Sequence, residues 1–378
     1  MDLTLLQRAL STHDRVQVVG ASGSGMSQLA NQLHEEWPNV GVVGQDAAAH
    51  VTYLRETVIE EVAIGLEQRG VERTEMQARC ERILARTGLA HLAERHPATL
   101  SGGETRRLAI ACVAVLEPEL LVLDCPFAGL DTESARLIEQ LVASSRALVL
   151  GYQPREIGGA QLGIIDATLT PNPHLTPVSL PSPVEPQPGR IDLGAVTAGR
   201  QAPQRKWWHF REKRGEQFQV GPVELAPRKG GVLWLRGHNG SGKTTLLRAL
   251  AGLDGNQPQP VGVSLALQRV ADQVVETTLA EFAGGSDATH PLDLPQAQLR
   301  VAQLRQVFAQ GRELVLIDEP DTSLDATGRT QAHHVIADGL RAGQAVILTC
   351  HDESFVDEVA AYAEVEPVVL KAQGHKSY

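Results

Sequence analysis

Short apolar runs recur along the chain, each bounded by glycine, polar or charged residues. Runs of this length are typical of buried strands. Between them lie segments in which apolar residues recur at helical spacing, such as 56–66 and about 74–86. The runs that predict strands most clearly are 15–19, 41–46, 120–124, 147–150, 232–235, 264–268, 314–318 and 345–348. The pattern therefore predicts a chain in which strands and helices alternate.

A proline-rich stretch interrupts this alternation near the middle of the chain. Seven prolines fall in the eighteen residues 171–188, with serine, threonine and glutamine between them. Such a composition favours an extended, semi-rigid spacer. We therefore predict a first domain over 1–170, a linker over 171–204 and a second domain over 205–378.

The two halves repeat the same order of features. Each has a glycine-rich loop after a strand, a strand that ends in glutamine (Gln45, Gln268), a threonine-rich acidic segment and a helix start. Each then has an apolar strand that ends in aspartate (Asp124, Asp318) and, a few residues later, a Leu-Asp pair. A repeat of this length predicts two domains with one fold.

Composition and charge narrow the class of protein. The chain has 378 residues, 42% of them hydrophobic, which is enough for two or three packed cores. No run approaches the roughly 18 apolar residues of a membrane span, and the first thirty residues lack the apolar core of a signal peptide. A net charge of −11 disfavours nucleic acid as a partner, and the four scattered cysteines fit reduced thiols in the cytosol.

The clearest chemical motif lies between the predicted strand 232–235 and a helix. Residues 237–245 read Gly-His-Asn-Gly-Ser-Gly-Lys-Thr-Thr. The glycines let backbone N–H groups face phosphate oxygens, while Lys243 reaches the β- and γ-phosphates and Thr244 binds Mg²⁺. The alternative is a glycine-rich turn without chemistry. The phosphate-binding residues predicted here are Gly237, Asn239, Gly240, Ser241, Gly242, Lys243, Thr244 and Thr245, for ATP or GTP with Mg²⁺.

A second candidate phosphate contact lies in the first half, where residues 100–104 read Leu-Ser-Gly-Gly-Glu. Ser101 is a natural N-cap for the helix that follows. Gly102 and Gly103 leave the backbone bare at a helix N-terminus, so a phosphate could approach the N–H groups there.

Together these motifs resemble the ATP-binding-cassette ATPases, once per half. The first half is most similar to the ATPase subunits of energy-coupling-factor importers. The residues that carry this narrower resemblance are Gln45, 57–66 and 100–111. The resemblance implies an α/β fold of tandem P-loop NTPase domains, each a mostly parallel sheet flanked by helices. The second domain has a reduced helical subdomain, because 27 positions separate Gln268 from Pro295 where 56 separate Gln45 from Ser101.

The resemblance also implies roles for individual residues. In this family two cassettes pair head to tail, and each ATP lies between the glycine loop of one and the Ser-Gly-Gly helix start of the other. At the matching positions of this chain, the resemblance implies that Asp318 holds Mg²⁺ and that Glu319 polarises the attacking water. It also implies that His351 contacts the γ-phosphate and that Gln268 senses the metal and the water. The implied catalytic residues are Glu319, His351 and Gln268; the metal ligands are Thr244, Gln268 and Asp318; and Ser101, Gly102 and Gly103 complete the site.

The departures from the family pattern divide between the halves. The first half has Met26 for the lysine, Cys125 for the carboxylate and Tyr152 for the histidine. The second half instead lacks the Ser-Gly-Gly helix start and reads Leu-Pro-Gln-Ala-Gln over 294–298. In head-to-tail geometry one composite site is complete and the other is degenerate.

The leading hypothesis is an ATP-driven motor subunit at the cytoplasmic face of a membrane. It would act on integral-membrane transport subunits and a separate substrate-binding membrane subunit, without nucleic acid. One alternative is a soluble ATPase of the same superfamily that acts on nucleic acid or ribosomes. Another is a nucleotide-gated scaffold that binds ATP without turnover.

Overall fold

The computed structural model describes residues 1–199, 219–238, 240–254, 256 and 259–370. The chain divides into two units, Met1–Pro177 with Ser323–Thr327 and Val178–Thr322 with Gly328–Tyr378. Each unit is considered by itself below. Asn239 and residues 200–204, the end of the predicted linker, lie outside the described residues.

The first unit is built on a six-stranded sheet in the order β2-β3-β4-β1-β5-β6, in which every neighbouring pair is parallel except β5 and β6. Its strands are β1 (Arg15–Gly20), β2 (Val40–Val43), β3 (Leu120–Asp124), β4 (Ala147–Gly151), β5 (Ala160–Ile165) and β6 (Thr168–Thr170). Its helices are α1 (Thr4–Thr12), α2 (Met26–Glu36), α3 (Val58–Gln68), α4 (Arg73–Arg86), α5 (Gly102–Ala114) and α6 (Thr132–Ala143).

The second unit contains a five-stranded parallel sheet in the order β10-β11-β12-β9-β13 and a separate antiparallel pair, β7 and β8. Its strands are β7 (Ala195–Gly199), β8 (Gln219–Glu224), β9 (Val232–Arg236), β10 (Val263–Ala266), β11 (Leu314–Asp318), β12 (Ala345–Thr349) and β13 (Val365–Val369). Its helices are α7 (Lys243–Leu250), α8 (Leu279–Ala283), α9 (Gln296–Ala309), α10 (Ala326–Arg341) and α11 (Glu353–Ala360).

The two sheets have the same strand order once their strands are matched along the chain. The order β2-β3-β4-β1-β5 of the first unit corresponds to β10-β11-β12-β9-β13 of the second. Strands β3, β11 and β12 are buried along their whole length, because helices cover both faces of a parallel sheet. The repeat and the α/β fold predicted from the sequence are confirmed.

The units differ in the helices that separate the glutamine segment from the strand that ends in aspartate. In the first unit α3 and the fourteen-residue α4 precede α5. In the second unit the five-residue α8 is the only α-helix of the described residues between β10 and α9. Both α3 and α8 begin with a capping box, Thr57 with Glu60 and Thr278 with Glu281, so the two segments start alike and the second is shortened.

The proline-rich segment lies along the second unit. The Val184 N–H donates to the Tyr362 carbonyl at 2.7 Å, and the Gln187 N–H donates to the Lys229 carbonyl at 3.0 Å. The Ser179 N–H donates to Thr330 Oγ1 at 3.0 Å, and Val184 is buried. This part of the predicted linker is therefore held by hydrogen bonds to the second unit.

Helices α1 and α2 of the first unit are amphipathic and pack their apolar faces on its sheet. In the first unit Leu6 and Leu10 of α1 are buried together with Leu29 and Leu33 of α2. Helix α1, which precedes β1 and the glycine-rich loop of the first unit (residues 20–25), therefore packs on the sheet of that unit. Nowhere in the described residues is there a helix that is long and apolar enough to span a membrane.

Candidate functional site

The glycine-rich loop of the second unit connects β9 to α7, as the sequence predicts. Gly240 and Gly242 have φ of 78° and 92°, a left-handed backbone that glycine adopts without strain. A Cβ on Gly237 would lie 2.6 Å from Ser241 Oγ, so the loop closes only around glycine there. Lys243, the first residue of α7, is buried and its Nζ donates to the carbonyls of Gly237 at 2.6 Å and His238 at 3.1 Å. The ammonium group is thus held inside the curl of the loop.

The Asp318 carboxylate lies at the end of β11, beside the first turn of α7. Its Oδ1 accepts a hydrogen bond of 2.7 Å from the Thr349 hydroxyl, and its Oδ2 is buried without a hydrogen-bond partner among the described residues. Burial raises the pKa of Asp318, and the nearby hydroxyls of Thr349 and Thr244 offset this only in part. Parallel pairing of β11 with β12 brings Asp318 opposite Thr349. A buried carboxylate and a hydroxyl therefore meet at this edge of the sheet.

Glu319 follows Asp318 and has a φ of 51°, which is unusual for a residue other than glycine. Its N–H donates to Thr349 Oγ1 at 3.0 Å and to the Thr349 carbonyl at 3.1 Å. Its Oε2 accepts from Gln268 Nε2 at 2.7 Å, and its Oε1 lies 3.5 Å from His351 Nε2. The structure thus brings three predicted catalytic residues, Gln268, Glu319 and His351, into one cluster.

The cluster brings several buried carboxyl groups close together. Burial, followed by the nearby charges of Asp318 and Asp321, raises the pKa of Glu319 to about 8. The cations Lys243 and Arg300 oppose this shift but do not cancel it. An additional cation would relieve the repulsion, because opposite charge favours ionised carboxylates.

Arg300 of α9 was not anticipated from the sequence. Its guanidinium is almost fully buried and donates to the carbonyls of Leu267 at 2.8 Å, Gln268 at 2.9 Å and Glu319 at 2.9 Å. It therefore ties the segment after β10 to the segment after β11, from which the Gln268 and Glu319 side chains extend. These carbonyls lie 19 to 33 positions from Arg300 in the sequence, so the contact depends on how α9 packs against the two segments.

The Ser-Gly-Gly helix start lies in the first unit at the N-terminus of α5. Ser101 is the N-cap: its side chain accepts from the Glu104 N–H, and the Glu104 side chain accepts from the Ser101 N–H at 2.7 Å. Gly102 and Gly103 form the first turn, and Gly102 is exposed. The N-cap prediction is confirmed, and the first turn presents bare backbone.

The matching positions of the first unit lack the charged groups. Met26 begins α2 and is packed in the core, so its side chain takes no part in the loop. Cys125 keeps the left-handed backbone, with a φ of 50°, but carries no carboxylate. The Tyr152 hydroxyl accepts from Gln45 Nε2 at 3.1 Å and bonds to Ser22 of the glycine loop. An aromatic hydroxyl thus bridges loop and glutamine where the second unit has a histidine.

One pair of groups survives in the first unit. Ser27 Oγ donates to Asp124 Oδ2 at 3.0 Å, the counterpart of the contact between Thr244 and Asp318. The helix start of the second unit is altered instead: Pro295 occupies the N-cap of α9 and makes no side-chain cap hydrogen bond. Each unit has therefore lost a different part of the pattern.

The residues of the second unit fit ATP with Mg²⁺. Ser241 Oγ is buried and has no hydrogen-bond partner among the described residues, and the Lys243 ammonium group donates to two carbonyls of the loop itself. The hydroxyl of Thr244 and the carboxylate of Asp318 are the hard oxygen ligands that Mg²⁺ prefers when phosphate supplies the remainder. No group of three or more His, Cys, Asp or Glu side chains in the described ranges forms a separate metal centre.

Comparison with known proteins gives the family. The ABC transporter family model matches residues 4–128. A putative ABC transporter ATP-binding protein of Streptomyces avermitilis is 27% identical over 85% of this chain and 76% of its own length. The chain is thus similar to the ATP-binding-cassette ATPases, over residues 4–128 by the family model and over most of its length by this relative. It is accordingly an enzyme that hydrolyses ATP and uses ATP with Mg²⁺.

Two further similarities concern different branches of the ATP-binding-cassette ATPases. A putative HMP/thiamine import ATP-binding protein of Bacillus subtilis, YkoD, is 26% identical over 85% of this chain and 73% of its own length. A solved structure titled as a model of ribosome-bound archaeal Pelota and ABCE1 superposes with a TM-score of 0.64 over 96% of this chain and 73% of that one, at 15% identity. The second similarity establishes the fold alone.

Proposed function

We propose that this chain is the ATP-hydrolysing motor of a membrane importer of the energy-coupling-factor type, with one working ATP site. The observation that supports it best is the asymmetry between equivalent positions of one fold. Lys243, Glu319 and His351 are clustered in the second unit, and Met26, Cys125 and Tyr152 stand in their places in the first. Loss of all three groups from one unit and none from the other favours one retained site over general decay.

We assign the roles from the contacts. Lys243, with the loop amides, binds the β- and γ-phosphates, and Thr244 and Asp318 hold Mg²⁺. When bound, Mg²⁺ supplies positive charge to the phosphate oxygens. Glu319 holds and polarises the attacking water. Its backbone N–H and carbonyl are both hydrogen-bonded, and its carboxylate accepts a hydrogen bond from Gln268, so the side chain is held in place. His351 lies against the same carboxylate and stabilises charge at the γ-phosphate.

Hydrolysis at this site is proposed to draw on both halves of the chain. The second unit has no bare helix start of its own, because Pro295 has no N–H to donate and Gln296 and Ala297 carry side chains. The first unit retains Ser101, Gly102 and Gly103 with an ordered cap. In the family such a helix start completes the site of the other cassette, so we assign these three residues to the working site.

The test of the site is a pair of matched substitutions. Glu319→Gln should lower kcat by about 10²–10³-fold while ATP binding persists, because it removes one electrostatic contributor and leaves Lys243 and the loop. Cys125→Gln, at the equivalent position of the first unit, should leave kcat close to the wild type. Hydrolysis near the wild-type rate in Glu319→Gln, or equal losses in both variants, would contradict the assignment.

The importer assignment rests on the likeness to YkoD and on the first-half resemblance to energy-coupling-factor subunits. It requires partners in a membrane, and the test is purification from detergent-solubilised membranes followed by identification of the proteins that remain bound. We expect an integral-membrane subunit and a small substrate-binding membrane subunit in stoichiometric amounts. Recovery of the chain without any membrane protein would contradict this assignment.

A second candidate is an ATPase that acts on ribosomes. It is favoured by the shortened helical segment of the second unit and by the fold likeness to ABCE1. The net charge of −11 weighs against a surface for RNA. Sedimentation with ribosomes in the presence of a non-hydrolysable ATP analogue distinguishes the candidates: the importer proposal predicts that the chain stays in the supernatant.

A further inference from the structure

Next to His351 lies a buried ionic network that the proposed site does not itself use. It is centred on Arg329, the fourth residue of α10, whose side chain is only 3% exposed. The guanidinium donates from Nη1 to Asp352 Oδ2 at 2.7 Å and from Nε to Glu358 Oε2 at 2.6 Å. It also donates from Nη2 to Ser354 Oγ at 2.7 Å. All three partners belong to α11 or to its N-cap.

The network fixes the start of α11, directly after His351. Asp352 is the N-cap of α11, and its Oδ1 accepts from the Ser354 N–H at 3.0 Å and from the Ser354 hydroxyl at 2.6 Å. Arg329 holds the other oxygen of the same carboxylate. Because His351 lies between the end of β12 and this cap, the position of its backbone depends on where Arg329 holds Asp352.

His333 adds further contacts between α10 and the network, on the side of Glu358. His333, also on α10, is fully buried, with Nε2 2.6 Å from Glu358 Oε2 and Nδ1 3.1 Å from the Tyr362 hydroxyl. The His333 ring stacks on Phe355 with centroids 4.4 Å apart, and the Arg329 guanidinium lies 5.2 Å from the same Phe355 ring. Helices α10 and α11 are therefore joined by charged, polar and aromatic contacts at once.

The first unit provides an internal comparison. The position equivalent to Arg329, four residues after the Leu-Asp pair, is Ala135, and the residue after Tyr152 is Gln153 where the second unit has Asp352. Residues 153–159 form no helix, although α11 occupies this place in the second unit. The arginine, the cap and the helix are thus present where the histidine is present and absent where tyrosine replaces it.

We propose that Arg329 is a positioning residue for ATP hydrolysis: by anchoring Asp352 and Glu358 it holds His351 against Glu319. The inference rests on the proposed role of His351 in the working site. It goes beyond that role in assigning a function to a residue whose hydrogen bonds are to Asp352, Ser354 and Glu358, which are not among the residues assigned to the site.

The experiment is a double-mutant cycle on the full chain between Arg329→Met and His351→Ala. Methionine retains much of the apolar stem and removes all three hydrogen bonds. A misplacement of about 1 Å in an active site can cost about 10²-fold, so we expect kcat to fall by about 10- to 100-fold while KM for ATP changes little. In the His351→Ala background Arg329→Met should produce no further loss, because the group that it positions is gone.

Two other variants keep the outcome decisive if Arg329→Met is poorly folded. Asp352→Asn retains an effective N-cap but weakens the pair with Arg329, and it should lower kcat without changing KM. Arg341→Met removes an arginine of the same helix that bonds Asp338 and Ser182, and it should leave kcat unchanged. Equal losses in the Arg341 and Arg329 variants would show general damage to α10 and overturn the proposal.

The remaining outcomes separate this inference from the function on which it rests. If His351→Ala lowers kcat but Arg329→Met and Asp352→Asn do not, the positioning role is wrong and the site assignment stands. If the two losses multiply in the double variant, Arg329 acts independently of His351 and the proposal is also wrong. If His351→Ala itself has no effect, the assignment of the site fails first.

Discussion

Thr349→Val isolates one hydroxyl at the centre of the proposed site. The Thr349 side chain is fully buried, and its Oγ1 donates to Asp318 Oδ1 at 2.7 Å and accepts from the Glu319 N–H at 3.0 Å. Valine has nearly the same shape, so the change removes these two bonds without opening a cavity. Leu150 occupies the equivalent position of the first unit, which shows that an apolar side chain is compatible with the fold.

The expected magnitude follows from the two bonds. A hydrogen bond to a charged acceptor contributes about 1.5–3 kcal/mol, and the Asp318 bond is of this kind. Losing the second bond should cost less free energy than losing the Asp318 bond, because the Glu319 N–H still donates to the Thr349 carbonyl at 3.1 Å. We therefore expect the free energy of unfolding to fall by about 2–3 kcal/mol. If the same loss is felt in the transition state, kcat falls by about 30- to 140-fold, since about 1.4 kcal/mol corresponds to a tenfold change.

The assay is steady-state phosphate release at saturating Mg²⁺ and ATP, together with urea unfolding. Thr349→Ser is the matched control: it keeps the hydroxyl and loses one methyl group, about 0.8 kcal/mol, so kcat should stay within about fourfold of the wild type. A Thr349→Val chain with wild-type kcat would refute the reasoning, because Asp318 and Glu319 would then be held without the hydroxyl.

Two further predictions test the division of the site between the halves. Gly102→Asp combined with Ser101→Ala should lower kcat strongly, because a carboxylate would stand where bare amides are proposed to meet phosphate. Glu94→Asp on the same unit is the control and should leave kcat unchanged. Unchanged phosphate release in the Gly102→Asp, Ser101→Ala variant would exclude the first half from the site. We expect higher nucleotide occupancy, measured by equilibrium binding, in the triple variant Met26→Lys, Cys125→Glu and Tyr152→His. Adding Glu319→Gln should still abolish phosphate release, because Pro295 provides no N–H for the restored site. Substantial release in that quadruple variant would mean that the 294–298 helix start works.

The elements that carry the motifs were predictable from the sequence. Apolar runs bounded by glycine and aspartate predicted the strands and the fold class, and the cap at Ser101 followed from the residue type. The repeat was visible because both halves keep one order of features. These signals are local, with spacings of a few residues, so the sequence carries them directly.

The supporting contacts were not predictable because they join distant segments. Thr349 bonds a residue 31 positions away, Arg300 a carbonyl 32 positions away and Arg329 a carboxylate 23 positions away. Each depends on the register of parallel strands or on the packing of two helices, which no short motif encodes. The tyrosine bridge from Tyr152 to Gln45 is likewise a product of the fold, over 107 positions.

One working ATP site that uses groups from both halves should trap one nucleotide per chain. The most direct measurement is the amount of ADP trapped per chain by vanadate after turnover with Mg²⁺ and ATP, for the wild type and for Gly102→Asp. We expect close to one ADP per chain in the wild type and close to none in Gly102→Asp. Two trapped nucleotides per wild-type chain, or one that persists in Gly102→Asp, would contradict it.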